Sequence, residues 1–301
     1  MGTLFLIVIA GYICGKAKLM TQSLSKGLSA LIVNLSCPAL IVASTMGDVM
    51  PDRGLILPLL LIGTITYTVL LVLATHLPKL LGIRADQRGL FSFMMAYGNV
   101  GFIGYPVVAS IFGPEAVFYT SLLNVPNTIT VFIWGAQFIA GKEAVGNIWT
   151  RLYTPGLVGT YLSILVVAFQ WHAPHIISNT LTLIGNITVP GSLLIIGHSI
   201  SQIPARHMAG GRQVFLMTPF RLLILPLIVY GIFMLFNMIP GIHFDQTAID
   251  INTIVIGMPV ATFGTIFCLK YGVDDTIMAQ GTFLTTLLAL LSIPLLGWII
   301  L

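Results

Sequence analysis

Long apolar segments recur along the whole chain, and they constrain the fold more than any other feature. Ten can be read between polar breaks, at residues 2–15, 27–46, 54–75, 89–112, 115–140, 152–170, 176–200, 213–238, 248–269 and 276–301. A helix needs about 20 mostly apolar residues to cross the hydrocarbon core of a bilayer, and the segments lack the alternation of β-barrel strands. The pattern predicts an all-α membrane protein with ten transmembrane helices.

Charged residues are too scarce to cover a water-facing surface. Only 7% of the 301 residues are Asp, Glu, Lys or Arg, whereas a soluble domain has roughly a quarter. The basic residues form no patch that would bind nucleic acid, and Cys14, Cys37 and Cys268 lie far apart without a metal-binding pattern. These observations exclude a cytosolic enzyme, a nucleic-acid-binding protein and a secreted disulfide-stabilised domain. No metal or cofactor is predicted.

The charges of the loops predict the orientation in the membrane. Eleven of the 13 Lys and Arg residues fall in odd-numbered loops, whereas the even-numbered loops hold Arg53 together with Asp48, Asp52, Glu115, Asp245 and Asp250. Because Lys and Arg concentrate on the cytoplasmic side, both termini are expected to be extracytoplasmic, in the cell membrane. The remaining cation, Arg221, falls inside the eighth segment. Two roles are open for it: attraction of an anionic substrate, or snorkelling to the interface.

An internal repeat divides the chain into two halves. Residues 31–38 (LIVNLSCP) and 183–190 (LIGNITVP) share one pattern at an offset of 152, and the GYPV at residues 104–107 matches the GMPV at residues 257–260 at an offset of 153. Five segments per half is an odd number, so the second half must enter the membrane from the opposite side. The sequence therefore predicts two inverted repeats, residues 1–141 and 142–301, an arrangement typical of secondary transporters.

Glycine and proline interrupt the fourth and ninth segments at related positions. The fourth segment reads GNVGFIGYP from residue 98 to residue 106, and the ninth contains Gly257 and Pro259. Proline removes a backbone donor and glycine removes the side-chain restraint, so both helices are predicted to break there. A matched pair of interrupted helices is typical of a transporter's binding site at the bilayer midplane, where the ends of half-helices face ions. The alternative is that the glycines only permit close helix packing.

The candidate substrate-binding residues lie in these breaks, in the repeated Asn-Pro motif or inside the eighth segment. They are Asn34, Asn99, Gly101, Gly104, Tyr105, Pro106, Asn186, Arg221, Gly257, Pro259 and Thr262. For Asn99 a functional role is favoured; for Asn34 and Asn186, lining a site and satisfying freed backbone groups are equally open. No Asp or Glu is expected well inside a segment, which weakens a carboxylate relay and leaves the coupling ion, sodium or proton, open. No catalytic motif is present, so an enzyme is not expected.

The run GNVGFIGYPVVASIFGPEAVFYTSLLNVPNTITVFIWG (98–135) resembles the fourth and fifth spans of the auxin efflux carrier family. The segments NLSCPALI (34–41) and GMPVATFGTIFCLKYGVDD (257–275) resemble its second and ninth spans. The likeness covers essentially the whole chain and is to the compact bacterial branch, because only about ten residues separate the fifth and sixth segments. It implies ten helices in two inverted five-helix repeats, divided into a scaffold part and a transport part. The broken helices 4 and 9 would cross at Pro106 and Pro259, beside the substrate.

This resemblance implies a secondary transporter of a small organic anion, a mono- or dicarboxylate such as malate, that works by alternating access. The bile-acid/sodium symporters share the architecture, so a sodium-coupled symporter of an amphiphilic anion is the nearest alternative. A channel is a third reading, although no charged ring or carbonyl filter motif is apparent. The family analogy leaves a homodimer open, and no residue of the sequence argues for it.

Overall fold

The computed structural model describes residues 2–46, 51–141, 153–202 and 211–301. These residues form twelve helices, two of which contain a π-helical turn that bears on the site. The helices are α1 (Gly2–Lys16), α2 (Gln22–Ala43), α3 (Arg53–Leu80), α4 (Arg88–Ala96), α5 (Val100–Phe112), α6 (Ala116–Ala140), α7 (Pro155–Ala168), α8 (His175–Gln202), α9 (Arg212–Asn237), α10 (Gln246–Ile256), α11 (Phe263–Tyr271) and α12 (Thr276–Ile300).

The helices follow the predicted apolar segments. Six of them, α2, α3, α6, α8, α9 and α12, are long and apolar enough to cross a membrane, and α1, α5 and α7 are shorter apolar helices. The fourth segment is divided between α4 and α5, and the ninth between α10 and α11. The all-helical class is therefore confirmed, whereas the count of ten spans stays a prediction.

Local sequence signals set several helix ends. Thr154 caps α7 by accepting a hydrogen bond from the Leu157 N–H, and Pro155 stands at the first helical position, where its missing N–H costs little. Asp245 caps α10 by accepting from the Ala248 N–H at 2.9 Å. Gly272 ends α11 in the left-handed conformation, with φ of 69°.

One compact unit, called unit 1 here, comprises Met1–Leu59, Gly101–Leu122 and Leu152–Ile203. Its helices α1 and α8 approach so closely that a Cβ on Gly197 would meet the backbone of Val8 and Tyr12. Small residues permit such backbone approach between membrane helices. A second contact joins α2 to α8, where the Thr188 hydroxyl donates to the Ser36 hydroxyl at 3.0 Å.

The other compact unit, unit 2, comprises Leu60–Val100, Leu123–Arg151 and Pro204–Leu301. Its core includes a cluster of aromatic rings formed by Phe93, Tyr97, Phe132, Phe263 and Phe267. The Tyr97 hydroxyl donates to the Thr130 carbonyl at 2.9 Å, which ties the end of α4 to α6. Each unit draws segments from both halves of the predicted repeat, and the boundary between residues 141 and 142 stays a prediction because residues 142–152 lie outside the described ranges.

Candidate functional site

Two helix interruptions meet inside unit 2. Helix α4 ends at Ala96, and Tyr97 adopts an extended backbone (φ −114°, ψ 122°). Helix α10 ends at Ile256, and the chain stays non-helical until α11 begins at Phe263. The two interruptions pair as an isolated antiparallel bridge between Gly98 and Val260.

Backbone hydrogen bonds hold this bridge together. The Asn99 N–H donates to the Pro259 carbonyl at 2.8 Å, and the Ala261 N–H donates to the Tyr97 carbonyl at 3.0 Å. Each break therefore satisfies backbone groups that the other break frees, which is what unwound backbone requires away from water. The Val260 N–H donates instead to the Thr285 hydroxyl at 3.0 Å, which anchors the bridge to α12.

Pro259 lies in the ninth-segment break as predicted, but Pro106 does not lie in the break of the fourth segment. That break is at Tyr97–Asn99, and the chain then runs as one helix through a π-helical turn, Val100–Gly104, into Pro106. Pro106 follows this π-helical turn directly, and such a local adjustment accommodates a proline within a membrane helix. Gly98, the first glycine of the motif, lies in the break, whereas Gly101 and Gly104 lie in the helix that follows it.

Arg221 is the charged side chain beside the bridge. It lies in the π-helical turn of α9, Phe220–Ile224, and is only 1% exposed. Its Nη1 donates to the carbonyl of Met95 at 3.1 Å, at the C-terminal end of α4, where the helix dipole favours a cation. Its Nη2 lies over Gly98, where an added Cβ would collide with it. This burial rules out snorkelling to the interface.

Within the described residues, no carboxylate neutralises Arg221. The one salt bridge there joins Arg84 and Asp86, both well exposed. The Nε of Arg221 is buried and has no hydrogen-bond partner among the described residues, and the buried Tyr67 of α3 is its electrostatic neighbour. An unpaired buried guanidinium is costly, so this arrangement is suited to receiving an anion.

Two buried asparagines accompany the bridge. Asn99 is 8% exposed and is held through its backbone as described above. Asn252, on α10, is 1% exposed, and its Nδ2 donates to the Thr66 hydroxyl at 2.9 Å. Sequence reasoning missed Asn252, although it stands 153 residues after Asn99, the same offset that relates Gly104 to Gly257.

The remaining candidates lie elsewhere. Tyr105 packs in the core of unit 1 with Ile32, Leu40 and Val117. The others in that unit are Gly101, which is exposed, Gly104 and Pro106, which are buried, and Asn34 and Asn186, which are exposed on α2 and α8. The Asn34 Nδ2 donates to the Ala30 carbonyl of its own helix at 2.7 Å.

In unit 2, Thr262 is exposed at the start of α11 without a side-chain capping bond, and Gly257 is buried in the break. The structure thus brings Asn99, Gly257, Pro259 and Arg221 to one place.

The orientation stays a prediction. Four of the loop charges that carry it, Asp48, Lys142, Arg151 and Arg206, lie outside the described residues.

An all-helical chain with several apolar spans and two interrupted helices belongs to the class of multi-pass membrane proteins. The sequence profile of a family described as membrane transport protein matches residues 1–151 and again residues 147–297. The chain is similar to an uncharacterized transporter of Methanocaldococcus jannaschii, with 24% identity over 312 residues that cover 98% of this chain and 96% of the relative. It is also similar to an uncharacterized transporter of Methanothermobacter thermautotrophicus, with 25% identity over 297 residues that cover 97% of this chain and 95% of the relative.

The chain belongs to the membrane transport protein family, the family of the auxin efflux carriers. It is a membrane transporter and not an enzyme.

Proposed function

We propose that this transporter moves a small organic anion, a mono- or dicarboxylate such as malate, by alternating access. The binding site is the meeting point of the two interrupted segments. Arg221 supplies its positive charge, and Asn99 with the backbone around Pro259 supplies polar groups. The observation that carries this proposal is the complete burial of Arg221 without a carboxylate partner among the described residues.

The chemistry of the guanidinium supports a carboxylate as the ligand. A guanidinium presents N–H donors in a planar fork that matches the two oxygens of a carboxylate. The Nη1 of Arg221 is engaged by Met95, whereas its Nε–H is left for a ligand. A substrate that brings its own negative charge would give the guanidinium a partner in direct contact, which no carboxylate of the described residues supplies.

Two inverted repeats with crossing broken helices are part of this proposal. Ser36 and Thr188 occupy equivalent places in the repeated motif, 152 residues apart, and their hydroxyls touch. A residue meets its own counterpart only near the axis that relates two repeats, so the contact supports a pseudo-two-fold axis within unit 1. The paired backbones of the two interruptions support a crossing in unit 2. The loop charges support extracytoplasmic termini in the cell membrane.

Uptake into proteoliposomes tests the proposal. Labelled malate, malonate, succinate and an indole acid are offered under imposed sodium, proton or electrical gradients. We expect saturable, counterflow-competent uptake of one anion in the wild type, loss of that uptake in Asn99→Ala, and normal uptake in the control Asn179→Ala, which removes an exposed amide on α8. If none of the anions moves under any gradient, the carboxylate assignment is wrong. Equal uptake by Asn99→Ala and wild type removes Asn99 from the site.

A further inference from the structure

Asp250 is the second buried charge of unit 2. Sequence reasoning placed it in a loop, but α10 begins at Gln246, capped by Asp245, so Asp250 lies in the second turn of the helix and is 6% exposed. Asp250 therefore belongs to the start of the helix rather than to a loop, and the expectation that no acidic residue lies well inside an apolar segment stays a prediction.

The surroundings of Asp250 hold no cation among the described residues. Its Oδ1 accepts a hydrogen bond from the Gln246 Nε2 at 2.8 Å. Helix α10 packs against α12 and against the Leu225–Asn237 part of α9, and neither carries Asp, Glu, Lys, Arg or His. The titratable groups that these contacts bring near Asp250 are Tyr230 of α9, which Gln246 also reaches at 3.4 Å, Asp245 at the start of α10, and Tyr67 of α3 next to the Thr66 contact. The same helices carry His76 and Lys79 of α3 and Arg221 of α9 at other positions.

This environment suits a proton better than a metal cation. A hard metal ion collects several oxygen ligands, whereas the partner of Asp250 presents its N–H₂ group. Within the described ranges, no group of three or more His, Cys, Asp or Glu side chains comes together that would hold a metal. A proton needs a single oxygen, and Oδ2 offers one.

The buried charges of unit 2 give this proton a role. With Arg221 cationic and Asp250 ionised, the two buried charges in the described part of unit 2 sum to zero. A bound monoanion makes the summed charge of Arg221, Asp250 and the ligand negative. A proton that binds to Oδ2 and forms an O–H group restores this summed charge to zero. Only the empty deprotonated form and the form loaded with both anion and proton are neutral, and a low-dielectric environment favours neutral forms. Asp250 also stands on the helix that leads into the break, seven residues before Gly257, or about 10 Å along the axis.

We propose that Asp250 is a proton-binding site that couples transport of a carboxylate monoanion to a proton, as one-to-one symport. This inference rests on the proposed function of the Arg221 site. Anion binding and protonation of Asp250 favour each other, since linkage between two sites is reciprocal. Transport of the monoanion with its proton is electroneutral, and the proton is released from Oδ2 on the side where the anion leaves.

The variant Asp250→Asn distinguishes exchange of the anion from its net, proton-driven transport. The amide mimics the protonated acid, so the loaded carrier stays neutral and still crosses, whereas the empty carrier keeps the uncompensated charge of Arg221. We expect counterflow of the transported anion within twofold of wild type, and loss of at least tenfold in accumulation driven by an acid-outside pH gradient at clamped membrane potential. Asp86→Asn, which neutralises an exposed aspartate of the same unit, leaves both rates unchanged.

Proton-driven accumulation by Asp250→Asn at the wild-type rate overturns the inference. Uptake by the wild type that is driven by sodium and does not respond to the pH gradient also overturns it.

Infrared difference spectra of the purified protein in lipid, recorded on acidification, provide a readout that needs no substrate. We expect a carboxylic-acid C=O band in the wild type and in Asp86→Asn that is lost in Asp250→Asn. If no anion of the panel moves, the proposed function fails; the proton site itself is rejected if that band is absent or persists in Asp250→Asn.

Discussion

The two compact units bury different kinds of polar side chain. Among the described residues, unit 1 buries serine and threonine hydroxyls and one histidine, His198. Several of these hydroxyls bond to carbonyls of their own helix, as Ser44 does to Ile41 at 2.6 Å and Thr160 does to Gly156 at 3.0 Å. Unit 2 also buries hydroxyls, such as those of Thr66 and Thr285, but its described part adds an arginine, an aspartate and the amides of Asn99, Asn127 and Asn252.

This difference distinguishes polar groups that are compatible with helix packing from charged groups that packing does not require. Hydroxyls that return to their own helix cost little in an apolar setting and permit helices to approach closely. Replacing buried ionic groups by well-packed hydrophobic ones is often neutral or stabilising. Packing alone therefore does not explain why Arg221 and Asp250 are charged. The polar groups of unit 1 are therefore compatible with packing alone, whereas the proposed function gives the buried charges of unit 2 a role in transport.

The largest expected effect is a packing failure in unit 1. Gly197→Ala places a Cβ against the backbone of Val8 and Tyr12, which cannot move aside as a side chain would. We expect α1 and α8 to separate and the free energy of unfolding to fall by about 3 kcal/mol, at the upper end for overpacking. Thermal unfolding in detergent measures it. The control Gly27→Ala, on α2 with open space around it, is expected to unfold no earlier than wild type; equal stability of both variants contradicts the close packing.

Next in size is a loss of transport in unit 2 without unfolding. Gly98→Ala places a Cβ against the Nη2 of Arg221, the far end of a flexible side chain, so the guanidinium moves while the fold survives. We expect the transport rate to fall by roughly 100-fold, since displacing a buried charge from its partner costs about 2–5 kcal/mol. Proteoliposome uptake measures it. Gly231→Ala, on α9 with nothing near its added methyl group, should transport as wild type does; normal transport by Gly98→Ala would remove the contact from the mechanism.

The smallest effect compares one hydrogen bond in each unit. Double-mutant cycles combine Asn252→Ala with Thr66→Ala in unit 2, and Ser36→Ala with Thr188→Ala in unit 1. Both cycles should give coupling energies of about 0.6 kcal/mol in unfolding, the average for hydrogen bonds between membrane helices. Only the unit 2 cycle should show coupling in the transport rate. Coupling of transport in the unit 1 cycle would show that the division between packing and chemistry is wrong.

Much of the fold follows from the sequence because the hydropathy of a segment and the conformational freedom of a glycine both act on the local backbone. Each apolar segment is helical over most of its described length, and the fourth and ninth segments are interrupted near Gly98 and Pro259. The exact place of the break near Pro106 could not be predicted, because a proline breaks some helices but is accommodated in others by a π-helical turn, as at Pro106. Local sequence does not say which of the two outcomes applies.

The site was less predictable because its contacts join distant parts of the chain. Arg221 was a candidate by its position alone, but its burial depends on the carbonyl of Met95, 126 residues away. Asp250 was counted with the loop charges, although it lies in the second turn of α10, the helix that Asp245 caps. Asn252 carried a usable signal, its offset from Asn99, whereas Tyr67 and Thr285 carried none, since a single hydroxyl in an apolar helix is ordinary.

Ligand binding by purified Arg221→Met tests the central claim most directly, namely that the buried charge of Arg221 serves an anion rather than the fold. The melting temperatures of wild type and variant are measured with and without malate, malonate, succinate and the indole acid. We predict that one of these anions raises the melting temperature of the wild type only, and that ligand-free Arg221→Met melts at or above the wild-type temperature. Equal stabilisation of both proteins by the anion, or a ligand-free Arg221→Met that melts well below the wild type, would contradict the account.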